Sequence, residues 1–156
     1  MEKQLKNKMK INFNGFLKKA IEEYPREACA FLFSKKPYST EEEWFCFPIS
    51  NIDPHPEEGW MPDKKETQKI KQEARKRGLV KIGNIHTHPI IKGNGFHEEY
   101  FEPSERDLKF AQKYRDIVRG IVVIDSEAIY GIKFHDMFGD KLNILVIDEE
   151  KEQENK

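Results

Sequence analysis

Six short runs rich in β-branched and aromatic residues confine this chain to a fold built on a sheet. They are ACAFLFS (28–34), EWFCFPI (43–49), LVKIGNIHTH (79–88), RGIVVID (119–125), AIYGIKF (128–134) and LNILVID (142–148), and each reads as a strand. Helical periodicity is set between them. Phe13, Phe16, Leu17, Ala20, Ile21 and Tyr24 recur at helical spacing until Pro25 stops them. A second helix is predicted from Asp63, a capping residue with Glu66 three positions on, to Gly78. Its apolar stripe is thin, Ile70 and Ala74, which places it on the surface. Its basic excess reads as a solvated face rather than a nucleic-acid patch, because no aromatics are interleaved. The third helix is SERDLKFAQKYRD (104–116), with Leu108, Ala111 and Tyr114 on one face. The order is one helix, two strands, a helix, a strand, a helix and three strands. It predicts an α/β domain, a mixed β-sheet flanked by helices.

A chain of 156 residues can bury a real core as one domain. Residues 1–10 are polar and predicted to be flexible, and the acidic EEKEQENK (149–156) to be disordered, leaving 11–148 as the domain. A net charge of -1 offers no field that favours nucleic acid or an anionic membrane. No window holds eighteen apolar residues, and the first twenty lack the apolar core of a secretory signal, so neither a membrane span nor secretion is expected. Cys29 and Cys46 both lie within apolar runs. They read as buried, reduced thiols in neighbouring strands, not as a disulfide or a metal site, and point to a cytoplasmic protein.

The chemistry concentrates in GNIHTHP (83–89) and in SERD (104–107). Residues i and i+2 of a strand share a face, so His86 and His88 present two imidazoles side by side at a strand end. Two neutral imidazoles make half of a tetrahedral metal site. Asp107, in the first turn of the next helix, is the candidate third ligand. Ser104 and Asp107 also fit a helix capping box, which accounts for both without any chemistry but leaves the histidine pair unexplained. A catalytic zinc keeps one position open for water and needs a carboxylate base nearby. Glu27, between Pro25 and a buried strand, is the candidate. The alternative for it is a solvated strand end. His55 and His135 have no sequence partners and are expected on the surface.

FLKKAIEEYPREACAFLF, GNIHTHP and PSERDLKFAQ, taken in that order, resemble the JAMM/MPN+ zinc metalloproteases, in a small, stand-alone prokaryotic-type form. The resemblance covers residues from about 13 to about 135. It implies a cytidine-deaminase-like α/β/α fold, although the deaminases' own Cys-rich signature is absent. It further implies one zinc per chain held by His86, His88 and Asp107, with a water in the fourth position. Glu27 would serve as general base and then as acid toward the leaving amine. Ser104 would donate to the oxyanion. The implied activity is a metallo-(iso)peptidase that processes ubiquitin or a ubiquitin-like protein at its flexible C-terminal tail, a segment suited to pairing as an added strand. A non-catalytic protein-binding module of the same fold is the alternative. Trp60 and Met61, in the loop 50–62, are read either as apolar contacts for that tail or as core. Fifteen residues separate His88 from Ser104, about twice the family's usual spacing. This loop is expected either as a surface insertion or as a cover over the metal, with His97 or Glu99 in the open position.

Overall fold

The structure, a computed structural model, describes residues 5–10, 13–36, 43–91 and 93–148. Eight strands form one mixed sheet: β1 (Leu5–Lys10), β2 (Cys29–Ser34), β3 (Glu43–Ile49), β4 (Val80–Pro89), β5 (Val118–Ile124), β6 (Ile129–His135), β7 (Lys141–Leu142) and β8 (Ile144–Asp148). Their spatial order is β7-β6-β5-β4-β2-β3-β1-β8. Among the described residues three α-helices flank the sheet: α1 (Phe13–Glu23), α2 (Lys64–Lys76) and α3 (Glu105–Tyr114). The α/β expectation therefore holds, with two additions. Residues 5–10, expected to be flexible, form β1, which pairs in parallel with both β3 and β8. Its sequence LKNKMK alternates lysine with Leu5, Asn7 and Met9, too few apolar residues to stand out as a strand, and its pairing with β3 and β8 is what reveals it. The two-residue β7 is too short for any periodicity to mark. The acidic segment 149–156 and the turn between β2 and β3 lie outside the described residues.

Alternation along β2 divides the core between the two faces. Ala30 and Leu32 turn to one face and pack with Phe16 and Ala20 of α1, and with Ile85, Val122, Ile124 and Phe134. Cys29, Phe31 and Phe33 turn to the other, against Trp60, Ala74 of α2 and Phe110 of α3. Cys29 and Cys46 are free and buried in adjacent strands, and burial pushes both thiols up. Asp63 caps α2 as expected by accepting from the Glu66 amide at 3.0 Å. Glu66 does not return the bond; its carboxylate accepts from the Ser50 amide and hydroxyl at 2.7 and 2.8 Å, tying α2 to the end of β3. Gly78, with φ +70, ends that helix in a conformation open to glycine.

Strands β4 and β5 run parallel and are joined through α3, a βαβ unit. Such a connection returns the helix N-terminus to the carboxyl end of the first strand, which is where open α/β sheets place their sites. Gly83 permits the strands' close approach. A Cβ there would lie 1.7 Å from the Val118 carbonyl oxygen.

Candidate metal centre

Register places the site before any side chain is considered. Cys29 of β2 lies opposite His86 of β4, and two further steps along this antiparallel ladder set Glu27 opposite His88. The ladder continues past β2, since the Thr87 amide donates to Ala28 O at 2.9 Å and the Ala28 amide to Thr87 Oγ1 at 2.8 Å. On the other side, His86 and His88 pair with Ile121 and Val123 of β5. Both imidazoles thus project from the face that carries α2 and α3, and the first turn of α3 delivers Asp107 to them.

Three donor atoms converge there. His86 Nε2 lies 3.2 Å from His88 Nε2 and 3.3 Å from Asp107 Oδ2, and His88 Nε2 lies 3.1 Å from the same oxygen. A tetrahedral ion about 2.0–2.1 Å from its ligands spaces them about 3.3 Å apart, so this near-equilateral triangle fits one. Glu27, His86 and His88 also offer donor atoms within 4.8 Å of one another, so a fourth group stands within metal-holding reach. Asp107 is the better third ligand because its oxygen is nearer both imidazoles. Glu27 Oε1 is buried without a partner among the described residues.

Electrostatics separate the two carboxyl groups. Burial pushes Glu27, 5% exposed, up to about 8. Burial also acts on Asp107, yet the two imidazoles outweigh it and hold this carboxyl well below the usual range. For His86, burial dominates and lowers the pKa, keeping the ring neutral as a ligand must be. At His88, burial is outweighed by hydrogen bonding to Asp107, and the pKa is raised.

The surrounding chain fixes each group. Ser104 caps α3 through a complete capping box: its Oγ accepts from the Asp107 amide at 3.0 Å, and its amide donates to Asp107 Oδ2 at 2.9 Å. Asp107 thus serves in the cap while its Oδ2 also faces the two imidazoles, so the cap does not exclude a candidate metal site. Ser104 Oγ keeps its own hydrogen to donate outward from an exposed position. Arg119, 1% exposed, donates to the Asp107 carbonyl and braces the turn from beneath. Asn51 anchors Glu27 from the loop after β3, donating to the Glu27 carbonyl at 2.8 Å and to Gly59 O at 3.0 Å while accepting from the Asp53 and Met61 amides. Trp60 is core, not a gripping residue: it is 5% exposed and stacks on His86 with centroids 5.8 Å apart, whereas Met61 is 44% exposed. Sequence reasoning missed Asn51 and Arg119. A polar residue in the loop that follows a strand, and a charged one opening the apolar run RGIVVID, were the available signals.

The long loop after β4 is pinned to the sheet. Phe101 is buried against Ile90, Ile121 and Val123, the Phe96 ring stacks on Tyr130 at 5.1 Å, and Glu98 pairs with Lys133 at 2.7 Å. Its contribution to the site is one main-chain atom: the Tyr100 carbonyl, 2.7 Å from His88 Nδ1, takes that nitrogen's hydrogen and leaves Nε2 to face the centre. His97 and Glu99 are exposed, and His97 Nε2 lies 3.1 Å from Asn94 O, so neither fills a metal position. His135, expected on the surface, is 3% exposed, because it lies opposite the buried Arg119 in the β5–β6 ladder. His55 is exposed as expected.

Residues 11–135 match the family of prokaryotic homologues of the JAB domain. No curated protein matches the sequence. Solved structures do. A solution structure of a protein from Desulfitobacterium hafniense is 20% identical, with a TM-score of 0.56 over 93% of this chain and 94% of that one. The crystal structure of a JAB1/MPN domain protein from Archaeoglobus fulgidus is 16% identical, with a TM-score of 0.54 over 91% and 99%. A solution structure of a protein from Salinibacter ruber is 19% identical, with a TM-score of 0.55 over 91% and 94%. At such identities the structural likeness carries the fold, and the match across residues 11–135 carries the family: the chain belongs to the prokaryotic homologues of the JAB domain.

Proposed function

We propose that this chain is a zinc-dependent metallo-(iso)peptidase that processes ubiquitin or a ubiquitin-like protein at its C-terminal tail. The observation that carries the reading is the triangle of His86 Nε2, His88 Nε2 and Asp107 Oδ2, closed at 3.1 to 3.3 Å beside a buried, unpartnered Glu27 oxygen. One soft-to-borderline nitrogen pair and one carboxylate suit zinc. When bound, zinc would supply a Lewis acid for the scissile carbonyl and lower the pKa of water.

The remaining work belongs to the chain. Glu27 Oε1 takes the proton of the attacking water and passes it to the leaving amine; a carboxyl poised near neutrality is suited to both directions of transfer. Ser104 Oγ, already accepting from the helix, donates its hydrogen to the developing oxyanion. Trp60 and the packed sheet exclude water from the inner side of His86. Buried free thiols accord with a cytoplasmic setting. Among the described residues, no helix is long and apolar enough to cross a membrane.

The test is hydrolysis of a ubiquitin-like protein extended at its C-terminus, with zinc supplied. Wild type is expected to cleave at the tail, and Glu27→Gln to keep the metal but lose at least about a hundredfold in rate. Zinc-loaded wild type with no cleavage of any extended ubiquitin-like protein would leave the binding-module reading in its place.

A further inference from the structure

Asn84 stands two residues before His86 on the same face of β4, and it is 1% exposed. Its Nδ2 donates to Asp116 Oδ2 at 2.8 Å, and its Oδ1 lies 3.3 Å from His86 Nδ1. Asp116, also 1% exposed, follows α3, and its amide donates to Ala111 O at 2.9 Å. The second Asp116 oxygen lies 3.3 Å from Lys81 Nζ, at the start of β4. Lys81, Asp116, Asn84 and His86 therefore form one polar chain beneath the metal triangle.

The chain has a direction. An ionised carboxylate only accepts, so the amino end of Asn84 must face Asp116 and the oxygen must face His86. A carboxamide oxygen also only accepts, so His86 Nδ1 carries the hydrogen. Nε2 is left with its lone pair turned toward His88 and Asp107. We propose that Asn84 and Asp116 are positioning residues that fix His86 in its Nδ1–H tautomer, with Nε2 held ready as a metal donor. The proposal rests on the metal-centre reading above. Without Asn84, the strongest acceptor within reach of the ring is Asp107 Oδ2, 3.3 Å from Nε2, and the hydrogen would move to the nitrogen the metal needs. Tyr100 O performs the matching task for His88 from the opposite side of the site. Partners of this kind typically change metal affinity by about 10–100-fold when removed.

The test reads the ring nitrogens of His86 by ¹⁵N NMR on metal-free protein, and zinc affinity by competition with a chelating dye. Wild type is expected to show Nδ1 protonated and Nε2 bare. In Asn84→Leu the hydrogen moves to Nε2, and zinc affinity falls about 10–100-fold. The exchange Asn84→Asp with Asp116→Asn reverses the chain's charge but keeps an acceptor facing Nδ1. It should retain the tautomer, with a loss of affinity smaller than about tenfold. An Nε2–H tautomer in wild type overturns the proposal, as does a folded Asn84→Leu with tautomer and affinity unchanged. Should Asn84→Leu fail to fold, the wild-type tautomer and the exchanged pair decide it: a tenfold loss in a folded exchanged pair overturns the proposal. Wild type with the expected tautomer but no zinc uptake would instead overturn the metal-centre reading and leave the effect of Asn84 on His86 standing.

Discussion

Replacing Glu27 with glutamine in the metal-free protein should remove a large part of the fold's pH dependence. Burial raises this carboxyl from 4.5 to about 8 in the folded chain, so the native state holds a proton that the unfolded state releases. Stability from this group is fully present below 4.5 and is lost as pH rises through 8. Between pH 5 and pH 8, proton linkage assigns it about 3–4 kcal/mol. A glutamine side chain is neutral throughout and of nearly the same shape, so Glu27→Gln should match wild type near pH 5 and exceed it at pH 8. Urea denaturation with a chelator present measures the difference. For a slope of about 2 kcal/mol per molar, the midpoint gap between the two proteins should widen by about 1.5–2 M from pH 5 to pH 8. His88 and Asp107 titrate in both proteins but are coupled to Glu27, so the comparison reads position 27 together with its effect on those two neighbours. Parallel pH profiles for wild type and Glu27→Gln would refute the argument that this carboxyl is held neutral by burial.

Other changes follow from single contacts. Gly83→Ala places a Cβ 1.7 Å from Val118 O, a backbone atom that cannot swing aside, and should cost about 3 kcal/mol or more. Thermal melting should then fall by about 10 °C. Trp60→Ala empties the space between Phe31, Phe110 and His86 and should cost about 3–5 kcal/mol in urea denaturation. Asp107→Asn keeps an acceptor for the Ser104 amide, so α3 should persist by circular dichroism. The variant should nevertheless lower the pKa of His88 in an NMR titration, because the carboxylate that raises it is gone.

Much of this fold was legible because burial imposes period. Six strands and three helices were marked by alternation in runs such as ACAFLFS, by helical spacing in 13–24, and by caps at Asp63 and Ser104. Strand β1 escaped because LKNKMK, half lysine, has too few apolar residues for its alternation to stand out, and β7 because two residues carry no period. At the site, His86, His88, Asp107, Ser104 and Glu27 were legible as chemistry at telling positions, and the structure brings all five together. What supports them was not. Asn51 and Arg119 carried only weak local signals, because their partners Glu27 and Asp107 lie far off in sequence, and Asn84, although two residues from His86, is oriented by the distant Asp116. Trp60 could be read either way until its ring was seen stacked on His86. His135 misled because a lone histidine at a strand end looks solvated until its place opposite Arg119 is known.

Metal content of the purified protein, wild type beside His88→Ala, bears on everything said of the site. About one zinc per chain in wild type, lost in the variant while its circular dichroism is kept, is the expected result. No zinc in the wild type even after it is supplied, or equal zinc in both proteins, would contradict the metal centre and reduce Ser104 and Asp107 to a helix cap beside an idle pair of histidines.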